Sequence, residues 1–200
     1  MLIGRAVQSF SSALVAVERI ILMGLIAGIA CLVLANVLSR PFGLTIAWAD
    51  ELAIYSMILS AFVGASLMLR ARTDPAVKLV HEVFGPRLRR VLFTLTSIVS
   101  VAFGIALMAL CWRWFAPLQV IAAGFDAATF EGNTFNFIYT ETTPVMGLPA
   151  FWFFLVMPWF AFTITIHALA NLLEDVALAD RPTDPARIAG STLEEGRVAR

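Results

Sequence analysis

Charge is what this sequence has least of. Only 14% of its 200 residues are Asp, Glu, Lys or Arg, and 60% are hydrophobic. A soluble domain is nearer a quarter charged and about half apolar. The balance therefore points to a polytopic membrane protein rather than a soluble helical domain. Lysine is almost missing: Lys78 stands alone among 14 basic residues, the rest being Arg. The formal net charge is zero, so no basic surface invites nucleic acid. Cys31 and Cys111 both fall in apolar runs with no CxxC and no His nearby. They read as buried small residues rather than a disulfide or metal site. The sequence shows no Ser/His/Asp grouping, phosphate-binding loop or HExxH motif. No catalytic residue, substrate-binding residue, metal site or cofactor is expected from it.

Long uncharged runs are what it does have. Leu52–Leu69 is a stretch of 18 residues without a charge, enough to cross a hydrocarbon core of ~30 Å as a helix. Trp48, Asp50 and Glu51 open this stretch and Arg70 and Arg72 close it. The acids thus sit at the positive end of the helix dipole and the arginines at its negative end. Four such spans are expected, at about 20–38, 50–70, 91–112 and 148–170. The run Ile20–Leu38 is longer than a signal-peptide core, so it reads as a span. Residues 1–19, with Phe10, Leu14, Val17 and Ile21 on one stripe, read as an interfacial lead-in helix. Pro41 and Gly43 should end the first span, and Pro158 should kink the fourth.

Between spans two and three, Val77, Val80, Phe84 and Leu88 recur at helical spacing, with Lys78, Glu82 and Arg87 off the stripe. This predicts a short amphipathic helix, broken at Gly85-Pro86 with a new helix starting at Pro86. Residues 116–147 form the longest inter-span segment. It is rich in aromatics and contains no basic residue. Phe135, Phe137 and Tyr139 alternate as in a short strand. The segment reads as a loop folded over the bilayer surface by its aromatics, with contact to a periplasmic partner as the alternative. Residues 1–175 are expected to form the four-helix membrane domain. Residues 176–200, of mixed charge and with several Pro, are expected to be a disordered tail.

Four spans put both termini on one side. That side then holds Arg5, Arg19, the six basic residues between Arg70 and Arg90, and the four of the tail. The other side holds Arg40 and Arg113. Twelve against two is a positive-inside asymmetry. It places the termini and the 70–90 loop in the cytoplasm, and the 39–49 and 113–147 loops in the periplasm.

Several residues stand out from the apolar background. Gly24 and Gly28 form a GxxxG pair that lets another helix approach. Asn36 and Arg40 lie four apart on one helix face. Asp50 and Glu51 admit two readings: helix capping, or an ion pair with Arg40 or a partner subunit. His81 and His167 are the two histidines. As a pair of haem ligands they would make the chain the membrane anchor of an oxidoreductase; read singly, His167 is a polar residue near a helix end. The span cores are otherwise plain, as in a scaffold.

The pattern Asn36-Val37-Leu38-Ser39-Arg40, then Ile46-Ala47-Trp48-Ala49-Asp50-Glu51-Leu52, then Gly64-Ala65, closed by Arg70 and Arg72, resembles the small membrane subunit of tripartite ATP-independent periplasmic (TRAP) transporters, the DctQ-like or Q subunit. The likeness is sharpest over 36–72; size, four spans and cytoplasmic termini agree over about 5–175, and Pro144–Pro149 is a looser match. One departure is Thr73-Asp74-Pro75-Ala76-Val77-Lys78, which stands where the family carries a His-containing element. The resemblance implies an all-α integral membrane protein of the bacterial inner membrane that is not an enzyme. It implies a small permease subunit that scaffolds a large transport subunit for sodium-coupled uptake of an organic anion. A periplasmic binding protein, docking transiently, would deliver that anion. Asn36, Arg40, Trp48, Asp50, Glu51 and Gly64 are then candidates for subunit contact, and Gly24 and Gly28 for helix packing. The competing readings are the haem-binding anchor and an orphan four-helix assembly protein.

Overall fold

The computed structural model describes residues 2–72 and 86–176. Among them there is no β-strand, and four helices are long and apolar enough to cross a membrane. Helix α1 spans Leu2–Ser39, α2 Ala47–Ala71 and α3 Pro86–Phe115; two short helices, α4 (Pro117–Ala122) and α5 (Ala127–Thr134), follow. The last crossing is α6 (Phe151–Phe154) and α7 (Val156–Asp175) in series. The lead-in helix and first span are one continuous helix, because no Gly or Pro falls between Arg5 and Met23 to break it. The amphipathic helix expected around Val77–Leu88 lies largely outside the described residues, as do His81 and the tail beyond Val176. The chain is described again from Pro86, the first residue of α3.

The breaks follow from local chemistry. Arg40–Phe42 tightens into a 3-10 turn, and Gly43 adopts φ +73°, its N–H closing on the Arg40 carbonyl at 3.0 Å. Pro158 has no N–H for the Phe154 carbonyl, and its ring crowds the preceding turn. The helix accordingly breaks at Leu155, one turn earlier, between α6 and α7. The strand suggested by Phe135, Phe137 and Tyr139 does not form. Phe135 caps α5 with φ +54°, a conformation incompatible with an extended run, and residues 138–140 form a turn. The only bridge among the described residues is an isolated one, Thr142 with Pro149.

The chain divides into two compact units, and all four crossings contribute to both. The first unit draws on Met1–Ile20, Val63–Ile105 and Phe162–Arg200. Its helices meet through small and polar residues: Ser66 Oγ donates to Thr163 Oγ1 at 2.9 Å, and Ala168 and Ala170 are fully buried. At Gly104 a built Cβ would lie 3.1 Å from Thr165 Cα and closer still to its hydroxyl. Gly104→Ala is therefore expected to destabilise the chain by about 1–3 kcal/mol through overpacking. Gly24→Ala and Gly28→Ala, where a Cβ meets nothing within 4 Å, should not destabilise the isolated chain. Unfolding midpoints of the three variants in one mild detergent check the contrast; equal midpoints would refute it.

The second unit draws on Ile21–Phe62 and Ala106–Ala161 and is held largely by aromatics. Tyr55 stacks on Phe153 with centroids 4.0 Å apart, and Phe62 meets Phe160 edge-on at 5.3 Å. Outward, α1 exposes Met23, Ile26, Val33 and Leu34. An apolar exterior around buried polar contacts is the arrangement a hydrocarbon solvent favours.

Candidate functional site

Within the first unit, the polar residues of α7 form one stripe. Thr163, His167, Asn171 and Glu174 recur at intervals of four, four and three, so they share a helix face. All four are buried. On α1, Ser11 and Glu18 lie two turns apart and are also buried. His167 lies between them: Nδ1 is 2.8 Å from Ser11 Oγ and Nε2 is 3.0 Å from Glu18 Oε2. Serine, histidine and a carboxylate in a row are the elements of a hydrolytic relay. Here all three are 0% exposed, so no substrate reaches the hydroxyl. The trio clasps α1 to α7. With both ring nitrogens engaged, His167 has no atom left for a haem iron.

One turn further along the stripe, Arg70 of α2 reaches the same helix. Nη1 donates to Asn171 Oδ1 at 2.6 Å and Nη2 to Glu174 Oε1 at 2.7 Å. Asn171 returns a hydrogen bond to the Leu69 carbonyl at 2.8 Å. Arg72, just past the end of α2, pairs with Asp175 at 3.0 Å and lies over the Phe93 ring at 5.6 Å. Ser97 of α3 donates to the other Asp175 oxygen at 2.8 Å. Two cations and two carboxylates thus tie α2, α3 and α7 together. Among the described residues, no three His, Cys, Asp or Glu side chains gather as a metal site.

The second unit holds most of the residues singled out by sequence. Asn36 is buried; its Nδ2 donates to Asp50 Oδ1, and its Oδ1 accepts the Ile46 N–H at 3.3 Å. One side chain therefore fixes the end of α1, the loop and the start of α2. Residues 141–150 close on themselves, with Thr143 N–H on the Leu148 carbonyl at 2.8 Å and Ala150 N–H on the Glu141 carbonyl at 2.9 Å. Glu51 takes the amides of Val145 at 3.1 Å and Met146 at 2.7 Å. Asp50 and Glu51 are thus internal fasteners, and no ion pair joins either to Arg40 among the described residues. Arg40 and Trp48 are exposed, and Gly64 has open space beyond its Cα.

The 116–147 segment is built around Phe130, which is 1% exposed and meets Tyr139 edge-on at 5.2 Å. Tyr139 donates to the Phe115 carbonyl at 2.7 Å, and burial pushes its phenol up from the ordinary value. Asn136 donates to the Trp114 carbonyl at 2.7 Å. Asp126 caps α5 through the amides of Ala128 and Thr129. The Thr129 hydroxyl and amide hold its carboxyl below the usual carboxylate range. Between Phe115, α4, α5 and α6 lies an apolar pocket of about 500 Å³.

A family model described as tripartite ATP-independent periplasmic transporters, DctQ component, matches residues 29–178. No curated protein and no solved structure matches the chain.

Proposed function

The chain belongs to the DctQ component family of tripartite ATP-independent periplasmic transporters, and from that premise we propose that it scaffolds the large membrane subunit during sodium-coupled uptake of an organic anion. Members of this family work alongside a large membrane subunit and a binding protein in the bacterial inner membrane, as multi-pass transport components rather than enzymes. In our reading a periplasmic binding protein delivers the anion and docks only transiently. Residues 1–175 are the membrane domain. The termini and the 70–90 loop face the cytoplasm, and 39–49 and 113–147 face the periplasm, in line with the arginine distribution.

One observation carries the scaffold reading. The buried polar side chains of the spans are turned on one another, in the Ser11–His167–Glu18 and Arg70–Asn171–Glu174 sets. Polar groups inside a membrane domain usually mark a substrate or ion path. Here they clamp helices, while Gly24, Gly28 and Gly64 open outward with nothing within 4 Å of a built Cβ. That leaves rigid, apolar outer faces for a larger membrane protein.

A mild-detergent pull-down of the tagged full chain tests this. A stoichiometric large membrane protein is the expected companion; a homogeneous chain without one, from cells expressing the whole system, would refute it. Glu51→Lys sharpens the test. The substitution replaces the acceptor of two amides with a cation and releases the 141–150 turn, a loss of about 1.5–3 kcal/mol for a charge-assisted pair. Recovery of the large subunit should fall about tenfold at unchanged expression, with Glu51→Gln intermediate. Unchanged recovery would sink the interface role of this corner.

A further inference from the structure

We propose that the apolar pocket beside the 116–147 segment holds one acyl chain of a bilayer phospholipid. This goes beyond the scaffold reading and stands whether or not a transport partner is bound. The pocket is about 500 Å³, within the ~300–1,000 Å³ of sites that enclose small ligands. Its walls include Phe115, Val120, Phe130, Phe151 and Leu155. No charged side chain lines it. Its only polar side-chain atom, the Tyr139 hydroxyl, already donates to the Phe115 carbonyl. A polar solute entering there would lose its hydration without replacement, a cost of about 2–7 kcal/mol per group. A hydrocarbon chain loses nothing.

Continuity with the lipid-facing surface names the source of that chain. Phe115 is the last residue of α3, and Leu155 joins α6 to α7, so the pocket opens between the ends of two crossings. Its rim carries Ile121 at 57% and Phe125 at 76% exposure, side chains suited to acyl chains rather than water. Trp112 and Trp152, also exposed, mark the depth of a membrane interface in the same unit. The walls are preformed: Phe130 is buried, α5 is capped by Asp126, and Ala116 and Phe125 turn the chain at positive φ on either side of α4. Because no cation lines the pocket, binding should depend on the hydrocarbon and be indifferent to the headgroup.

The test uses the full chain in nanodiscs of phosphatidylcholine bearing a diazirine within one acyl chain. After photolysis, peptides covering 115–130 and 151–155 should carry severalfold more label than those covering 20–38 of α1. Ala127→Trp, which places an indole in the pocket, should cut that label severalfold and leave the α1 label unchanged; Val120→Trp serves the same purpose if the first variant does not fold. Exchanging phosphatidylcholine for phosphatidylglycerol should leave the pattern as it was. Even labelling of both regions, label insensitive to both pocket-filling variants, or label that follows the headgroup would each overturn the proposal. So would label present in the isolated chain but lost in the complex with a large membrane subunit, which would mean that a partner side chain fills the pocket.

Discussion

Arg70→Ala is expected to lower the unfolding free energy of the chain by about 3–5 kcal/mol, the range for removing one partner of a buried ion pair. Arg70 is 3% exposed, and its guanidinium holds Asn171 and Glu174 with two separate nitrogens. Without it, the Glu174 carboxylate stays buried; its one remaining cation, Arg72, is 3.8 Å away and already committed to Asp175 at 3.0 Å. Asn171 Oδ1 loses the donor it had in Arg70, while Nδ2 still donates to the Leu69 carbonyl. Arg70→Lys should recover only part of the loss, since an ammonium is a single point and cannot bridge two partners as a planar fork does. Arg70→Met combined with Glu174→Met should be milder than Arg70→Ala, because it removes both charges together. Unfolding midpoints across this set, in one detergent, check the ordering. A double variant as unstable as the single one would show that the pair does not act as a unit.

These residues also show where reading a sequence stops. The spans were legible because long uncharged runs and the punctuation of Pro41, Gly43 and Pro158 act locally. So was the family likeness, carried by Asn36 through Gly64. Arg70 and Arg72 were read as flanking charges, which accounts for their sign and not for their partners, about 100 residues away on α7. Residues 1–19 read as an interfacial lead-in helix and His167 as a polar residue near a helix end; Glu18, within that lead-in, and His167 are fully buried against each other. A signal was there to be read. Thr163, His167, Asn171 and Glu174 form a polar stripe on an apolar helix, and Ser11 with Glu18 or Ser66 with Arg70 keep the same register on α1 and α2. In water such a stripe faces out; in hydrocarbon it faces in. For Asp50 and Glu51 the sequence offered capping, pairing with Arg40 or pairing with a partner subunit; that Glu51 accepts from the backbone of a turn 94 residues later is a contact no local pattern announces.

The buried stripe also sets the second large effect, at His167. Replacing it with alanine leaves Glu18, whose Oε1 already has no hydrogen-bond partner among the described residues, without its Oε2 partner as well. Ser11 loses its hydrogen-bond partner in the same step. A buried carboxylate stripped of its partner costs about 3 kcal/mol or more, and the clasp between α1 and α7 opens. Glu18→Gln keeps an amide oxygen able to accept from Nε2 and should cost less. Glu18→Leu with His167→Leu exchanges the polar contact for an apolar one of similar bulk and should restore much of the loss. The coupling between the two positions, measured as a double-mutant cycle, is then expected to be at least about 1 kcal/mol. A cycle that closes to zero would mean that Glu18 and His167 contribute independently. The same variants separate two roles for the clasp. If it only holds the chain together, recovery of the large membrane subunit should track the unfolding midpoint across the series. If it also positions α1 for that subunit, the double leucine variant should be stable and still recover less of it, because an apolar contact does not fix the rotation of α1 as two directional hydrogen bonds do.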